Sequence, residues 1–111
     1  MTIYALSSGP GISGIAVIRI SGNKSKIILS ELIRGSFPKE RVATLKKIKN
    51  NKTNEIIDEG IVLWLPGPNT YTGEDMVEFH VHGSKAVISE LQNVISNFRR
   101  QKRLSRNIHR R

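Results

Sequence analysis

Three side chains capable of chemistry stand at alternate positions of one short run: Glu78, His80 and His82. In an extended strand alternate residues share a face and lie about 6–7 Å apart, so the carboxylate and both imidazoles project together. Two such histidines and a carboxylate could ligate zinc, with water in the fourth position. Histidines at i and i+2 are common in strands that hold no metal, and no metal site is expected here. The same trio can instead be an exposed polar sheet face. It can also be a ligand site in which a carboxylate beside imidazoles grips a heterocycle presenting adjacent N–H donors. Arg19 is the other candidate, the only charge in the otherwise apolar run 15–20. An unpaired guanidinium there is costly. It should face a carboxylate, a ligand or a subunit interface, unless it simply reaches solvent from the strand end.

Two further signals lose weight on inspection. Gly9-x-Gly11-x-x-Gly14 matches the dinucleotide fingerprint in form. That fingerprint needs a helix after its third glycine, to present amides to a pyrophosphate, whereas the next segment here reads as a strand. A glycine-rich turn between strands fits better, with bare backbone that a ligand or partner could approach closely. The chain has no Gly-Lys dipeptide and therefore no phosphate-binding P-loop. These residues are not expected to hydrolyse GTP. Trp64, between Leu63 and Leu65, reads as core rather than as a stacking platform, because aromatic content is only 5% and shows no basic-aromatic pattern.

The elements that must position these residues follow from pattern. Residues 2–6 form a short first strand, residues 7–14 a loop, and residues 15–20 a buried β-branched strand. Ser21 can cap a helix carrying Ile27, Ile28, Leu29, Leu32 and Ile33, which Gly35 can stop. Residues 41–49 and 55–65 form a hairpin around the polar turn 50–54, and Gly60 suggests a bulge or bend. Residues 66–73 are a loop. Residues 75–82 then alternate, with Val77, Phe79 and Val81 on one face and Met76, Glu78, His80 and His82 on the other. Ser84 can cap a second helix with Val87, Ile88, Leu91, Val94, Ile95 and Phe98 at helical spacing, ending where a basic stretch begins. The order β-loop-β-α-β-β-loop-β-α implies an α+β domain, a mainly antiparallel sheet with two main helices packed on one face.

At 111 residues the chain has room for one such domain. It contains no cysteine, which excludes a disulfide framework and thiolate chemistry. No secretory signal and no apolar run long enough to span a bilayer is visible, so a cytoplasmic protein without membrane contact is expected. The net charge of +9 is unevenly placed: residues 99–111 hold seven of the eighteen Lys and Arg and no acid. The remaining 98 residues carry eleven basic and nine acidic side chains, a net of +2. A basic tail binds phosphate backbones by charge alone, so it says little about what the body recognises.

Three blocks carry a family resemblance. Gly9-Pro-Gly-Ile-Ser-Gly14 runs into Ile15-Ala-Val-Ile-Arg19-Ile-Ser21-Gly22; Leu63-Trp-Leu-Pro-Gly-Pro-Asn-Thr-Tyr-Thr-Gly-Glu-Asp75 follows; and Val77-Glu-Phe-His-Val-His-Gly83 comes close behind. In order and spacing they resemble the amino-terminal domain of the MnmE/TrmE tRNA-modification GTPases over residues 2–98. Ser84 departs from the second glycine usual there. The resemblance implies a fold related to the folate-binding domain of aminomethyltransferases, a homodimer or a pairing with a full-length paralogue, and a bound 5-formyl-tetrahydrofolate-type cofactor. Arg19 and Glu78 match family positions associated with that folate. The family enzyme works with an FAD-dependent MnmG-type partner to place an aminomethyl or carboxymethylaminomethyl group at C5 of the wobble uridine of tRNA.

Residues 99–111 do not resemble the family's continuation, a Pro-Gly-Glu-Phe-type segment leading to a helical domain and an inserted GTPase. The expectation is a folate and dimerisation domain over residues 1–98 and a basic, disordered tail over 99–111, as a frameshifted or truncated gene would give. No site for GTP, potassium or magnesium is expected, and no catalysis by the chain alone. A small basic RNA-binding or interaction protein acting through the tail is the alternative.

Overall fold

The computed structural model describes the backbone of residues 3–6 and 14–109 and the side chains of residues 14–98. Five strands, β1 (Ile3–Leu6), β2 (Ile15–Ser21), β3 (Thr44–Lys49), β4 (Ile56–Leu65) and β5 (Met76–His82), form one sheet in the order β1-β2-β5-β4-β3. Every pairing in it is antiparallel. Helix α1 (Ser25–Leu32) follows β2 and helix α2 (Lys85–His109) follows β5. The α+β class and element order match those expected from the pattern. The pairing order adds what the pattern did not specify: β5 enters between β2 and β4, placing Arg19 opposite Glu78 and Ile18 opposite Phe79.

Alternation divides the sheet. Ala16, Ile18 and Ile20 of β2, Val62 and Trp64 of β4, and Val77, Phe79 and Val81 of β5 are buried on one face. Both helices cover that face. Ile28, Leu29 and Leu32 of α1 and Ile88, Leu91, Val94 and Ile95 of α2 join the same core cluster. Each fully buried aliphatic or aromatic side chain of this kind stabilises by about 1.5–3 kcal/mol relative to exposure. Trp64 is core, as expected, and meets Phe37 edge-on at a centroid distance of 5.7 Å.

Five local expectations change. Ser21 does not cap α1; it ends β2, and its hydroxyl hydrogen-bonds that of Thr72 at 2.7 Å. The helix instead begins at Ser25, whose buried hydroxyl donates to the Asp75 carbonyl at 3.2 Å and leans towards that of Ile20. Ile33 belongs to an isolated bridge with Ile48, which turns the chain extended before Gly35 is reached. Ile27 points outward, 43% exposed. Gly60 forms no bulge, for the register irregularity lies between Ile48 and Lys49. A Cβ at Gly60 would instead run into the main-chain carbonyl of His80, so the glycine permits close approach of β4 to β5. Finally, α2 is capped as expected, with the Val87 N–H donating to the Ser84 hydroxyl at 3.2 Å. It does not stop at Phe98, however, and its backbone continues helical through the basic stretch to His109.

The loop between β4 and β5 is held at both ends. Asp75 accepts the Gly67 N–H at 2.9 Å, Thr70 donates to the Glu74 carbonyl at 2.6 Å, and the Gly22 N–H donates to the Asp75 carbonyl at 2.9 Å. These bonds tie the loop to the turn after β2 and align the strands that carry Arg19 and Glu78. Among the described residues no helix is long and apolar enough to cross a membrane.

Candidate functional site

The face opposite the helices carries the candidate residues Arg19, Glu78 and His80. Arg19 and Glu78 are register partners on β2 and β5, and the guanidinium Nε–H donates to Glu78 Oε2 at 2.7 Å. Arg19 thus faces a carboxylate, the first of the partners its strand position called for. Its side chain remains 47% exposed while that of Glu78 is 14% exposed, so the carboxylate lies beneath and the cation above it. His80, two residues along β5, places Nε2 2.8 Å from Glu78 Oε1. Both oxygens of Glu78 are therefore engaged.

Burial by itself would raise the Glu78 carboxyl, but the Arg19 and His80 hydrogen bonds and charges outweigh it and hold it below the usual carboxylate range. The group is an ionised, acceptor-only carboxylate, which requires that His80 Nε2 carry the proton it shares. Apolar residues frame this polar line. Leu63 lies across from Glu78, and Val17 and Ile61 flank His80 on either side, all half-buried. A carboxylate, a guanidinium and an imidazole set among aliphatic side chains can bind a flat ligand with a polar edge.

His82 belongs to a separate arrangement. Asp58 of β4 accepts its main-chain N–H at 2.8 Å and its ring Nδ1 at 2.9 Å. Desolvation opposes the Asp58 charge, but the bonds from His82 and from the Glu59 main chain prevail, and the carboxyl sits below its ordinary value. The three-residue polar run thus divides, His80 turning to Glu78 and His82 to Asp58. Among the described residues no group of three His, Cys, Asp or Glu is arranged to hold a metal ion. Asp58 was not singled out from the sequence. The available signal was the acidic pair Asp58-Glu59 interrupting an apolar strand. Of the first glycine-rich loop, residues 7–13 lie outside the described residues. Gly14 is described, and its carbonyl accepts the Gly83 N–H at 3.1 Å.

Residues 2–107 match the family described as GTP-binding protein TrmE N-terminus. The match runs past residue 98, the end of the resemblance read from the sequence, into the helical continuation of α2. The chain is 60% identical over 99 residues to the tRNA modification GTPase MnmE of Pelagibacter ubique, covering 89% of this chain and 22% of that protein. It is 51% identical over 88 residues to the mitochondrial 5-taurinomethyluridine-[tRNA] synthase subunit GTPB3 of Danio rerio, covering 79% and 17%. To the mitochondrial tRNA modification GTPase gtpbp3 of Dictyostelium discoideum it is 49% identical over 100 residues, covering 85% and 20%. The chain spans about a fifth of the length of these curated relatives.

Proposed function

We propose, because the chain belongs to the family of TrmE amino-terminal domains, that it is the folate-binding and dimerising part of a tRNA wobble-uridine modification system. The observation that carries this reading is the Arg19–Glu78 pair, set between half-buried aliphatic residues on the sheet face the helices leave open. The donor set suits a reduced folate. A carboxylate accepts two parallel N–H bonds from an amino-pyrimidine edge, and a guanidinium pairs with carbonyl or carboxylate oxygens. Glu78 therefore takes the heterocycle's donors, Arg19 its oxygens, and the aliphatic frame of Val17, Ile61 and Leu63 its ring. A bound 5-formyl-tetrahydrofolate supplies the one-carbon unit for C5 of the uridine. The chain's own residues bind and orient it.

In this reading GTP hydrolysis belongs to parts of the relatives outside the aligned fifth. The chain meets tRNA indirectly, as a cytoplasmic homodimer or beside a full-length paralogue, together with an FAD-dependent MnmG-type protein. Titrating the chain with 5-formyl-tetrahydrofolate in a calorimeter tests the cofactor assignment. Glu78→Ala should abolish binding, and equal affinity in wild type and variant counts against it.

A second reading is favoured by one observation, the helical continuation of α2 through the basic residues before His109. A basic helix neutralises RNA phosphates without reading sequence. Deleting residues 99–111 should then abolish RNA binding and leave folate binding intact.

A further inference from the structure

Glu78 presents a difficulty for any ligand that would use it. A carboxylate takes an amino-pyrimidine edge through both oxygens at once, yet here Oε2 is bonded to Arg19 and Oε1 to His80. Each oxygen has a second lone pair, so engagement alone does not exclude a ligand. Access does, because only 14% of the Glu78 side chain is exposed. The two covers differ in kind. Arg19 approaches through Nε, directly across the strand pair, where its cation still supports the carboxylate when a ligand binds. His80 occupies the other oxygen by an i, i+2 contact along β5, with 30% of its side chain exposed. Its register partners on β2 and β4 are Val17 and Ile61, whose side chains are apolar.

We propose that His80 is an intrinsic competitor for Glu78, one that must leave Oε1 before a ligand with paired N–H donors can bind. The proposal rests on the folate reading above and adds a specificity-determining residue to it. In the free chain the His80 Nε2–H substitutes for one donor of the heterocycle. A ligand that brings two donors displaces it; a ligand that brings one does not gain enough to do so. The charged groups around His80 are few. Glu78 contacts it, Arg19 sits on the far oxygen of Glu78, His82 further along β5 is held by Asp58, and Glu59 on β4 faces Lys47 on β3.

The test is calorimetric titration of the whole chain with 5-formyl-tetrahydrofolate. His80→Ala should bind roughly three- to tenfold tighter than wild type, the size expected for removing one charge-assisted competitor. His80→Gln keeps a donor, so it should compete as wild type does. If His80→Ala keeps the wild-type affinity while Glu78→Ala abolishes binding, the competitor is overturned and the folate site stands. If Glu78→Ala binds as tightly as wild type, or no variant binds, the folate reading fails and the competitor with it. Imidazole ¹⁵N resonances supply a second measurement that needs no substitution. The His80 Nε2 signal should lose its carboxylate partner at saturating ligand, and an unchanged signal overturns the proposal.

Discussion

The two faces of the sheet are made from the same strands and differ by a one-residue offset. Ile18, Ile20, Val77 and Phe79 point to the helices and have no exposed surface. Arg19, Glu78 and His80 stand between them in sequence and point away, with exposures from 14% to 47% of the side chain. The first face is held by apolar area, which is insensitive to direction and to pH. The second carries two directed contacts among charged or ionisable groups, which contribute little to the fold because partly solvated pairs are worth only about 0–1 kcal/mol. Under the proposed function, stability and recognition fall to opposite sides of a single layer. A substitution should disturb one with little effect on the other.

The largest expected effect is on the covered face. Phe79→Ala should cost about 3–5 kcal/mol, measured by urea unfolding, and leave the chain at or below the threshold of folding. A loss under 1 kcal/mol would show that the helices do not pack as described. Next is Gly60→Ala, which forces a methyl group against the His80 carbonyl and should destabilise by about 1–3 kcal/mol while spreading β4 from β5. Amide exchange along Val77–Val81 would report that separation. Asp58→Asn removes the acceptor charge for two His82 bonds and should cost about 1–2 kcal/mol at neutral pH.

That last effect should disappear in acid. Asp58 and Glu78 both have carboxyls lowered by folding. Their contribution is complete above the unfolded carboxyl value of about 4, and is lost as pH falls through the lower folded values. Thermal melts of wild type and Asp58→Asn should therefore converge below about pH 4. The smallest stability effect belongs to the open face: Arg19→Met should change the unfolding free energy by less than about 1 kcal/mol while sharply weakening folate binding. A large loss of stability with unchanged binding would reverse the division of labour between the faces.

The features legible in the sequence are those written by local periodicity. Val77, Phe79 and Val81 declare a buried face by alternation, and Ile88, Leu91, Val94 and Ile95 declare a helix stripe by their spacing. Arg19 and Glu78 stood out as charges in apolar strands. What stayed hidden depends on partners far along the chain. Ser21 has the chemistry of a helix cap, but a hydroxyl on Thr72, 51 residues away, captures it. Asp58 looks like a solvated acid until β5 brings His82 to it. Gly60 reads as a bulge from β4 alone, and only its neighbour's carbonyl explains it. The end of α2 is hidden for a different reason: the composition changes at Arg99 but the helical backbone does not, because Arg and Lys are good helix formers.

The salt bridge between Arg19 and Glu78 joins residues 59 positions apart. Neither half of it exists in a chain whose β2 and β5 have not yet met, and this pairing is among the more distant in sequence that the sheet requires. The site is therefore a late product of folding, formed only when the long loop between its strands has closed. A ligand that grips both residues binds the closed topology and ignores partly assembled forms, so it should raise the melting temperature in proportion to the logarithm of its concentration. Under the proposed function, the folate would serve as a folding template as well as a one-carbon donor, and the population of intact chains would follow its supply.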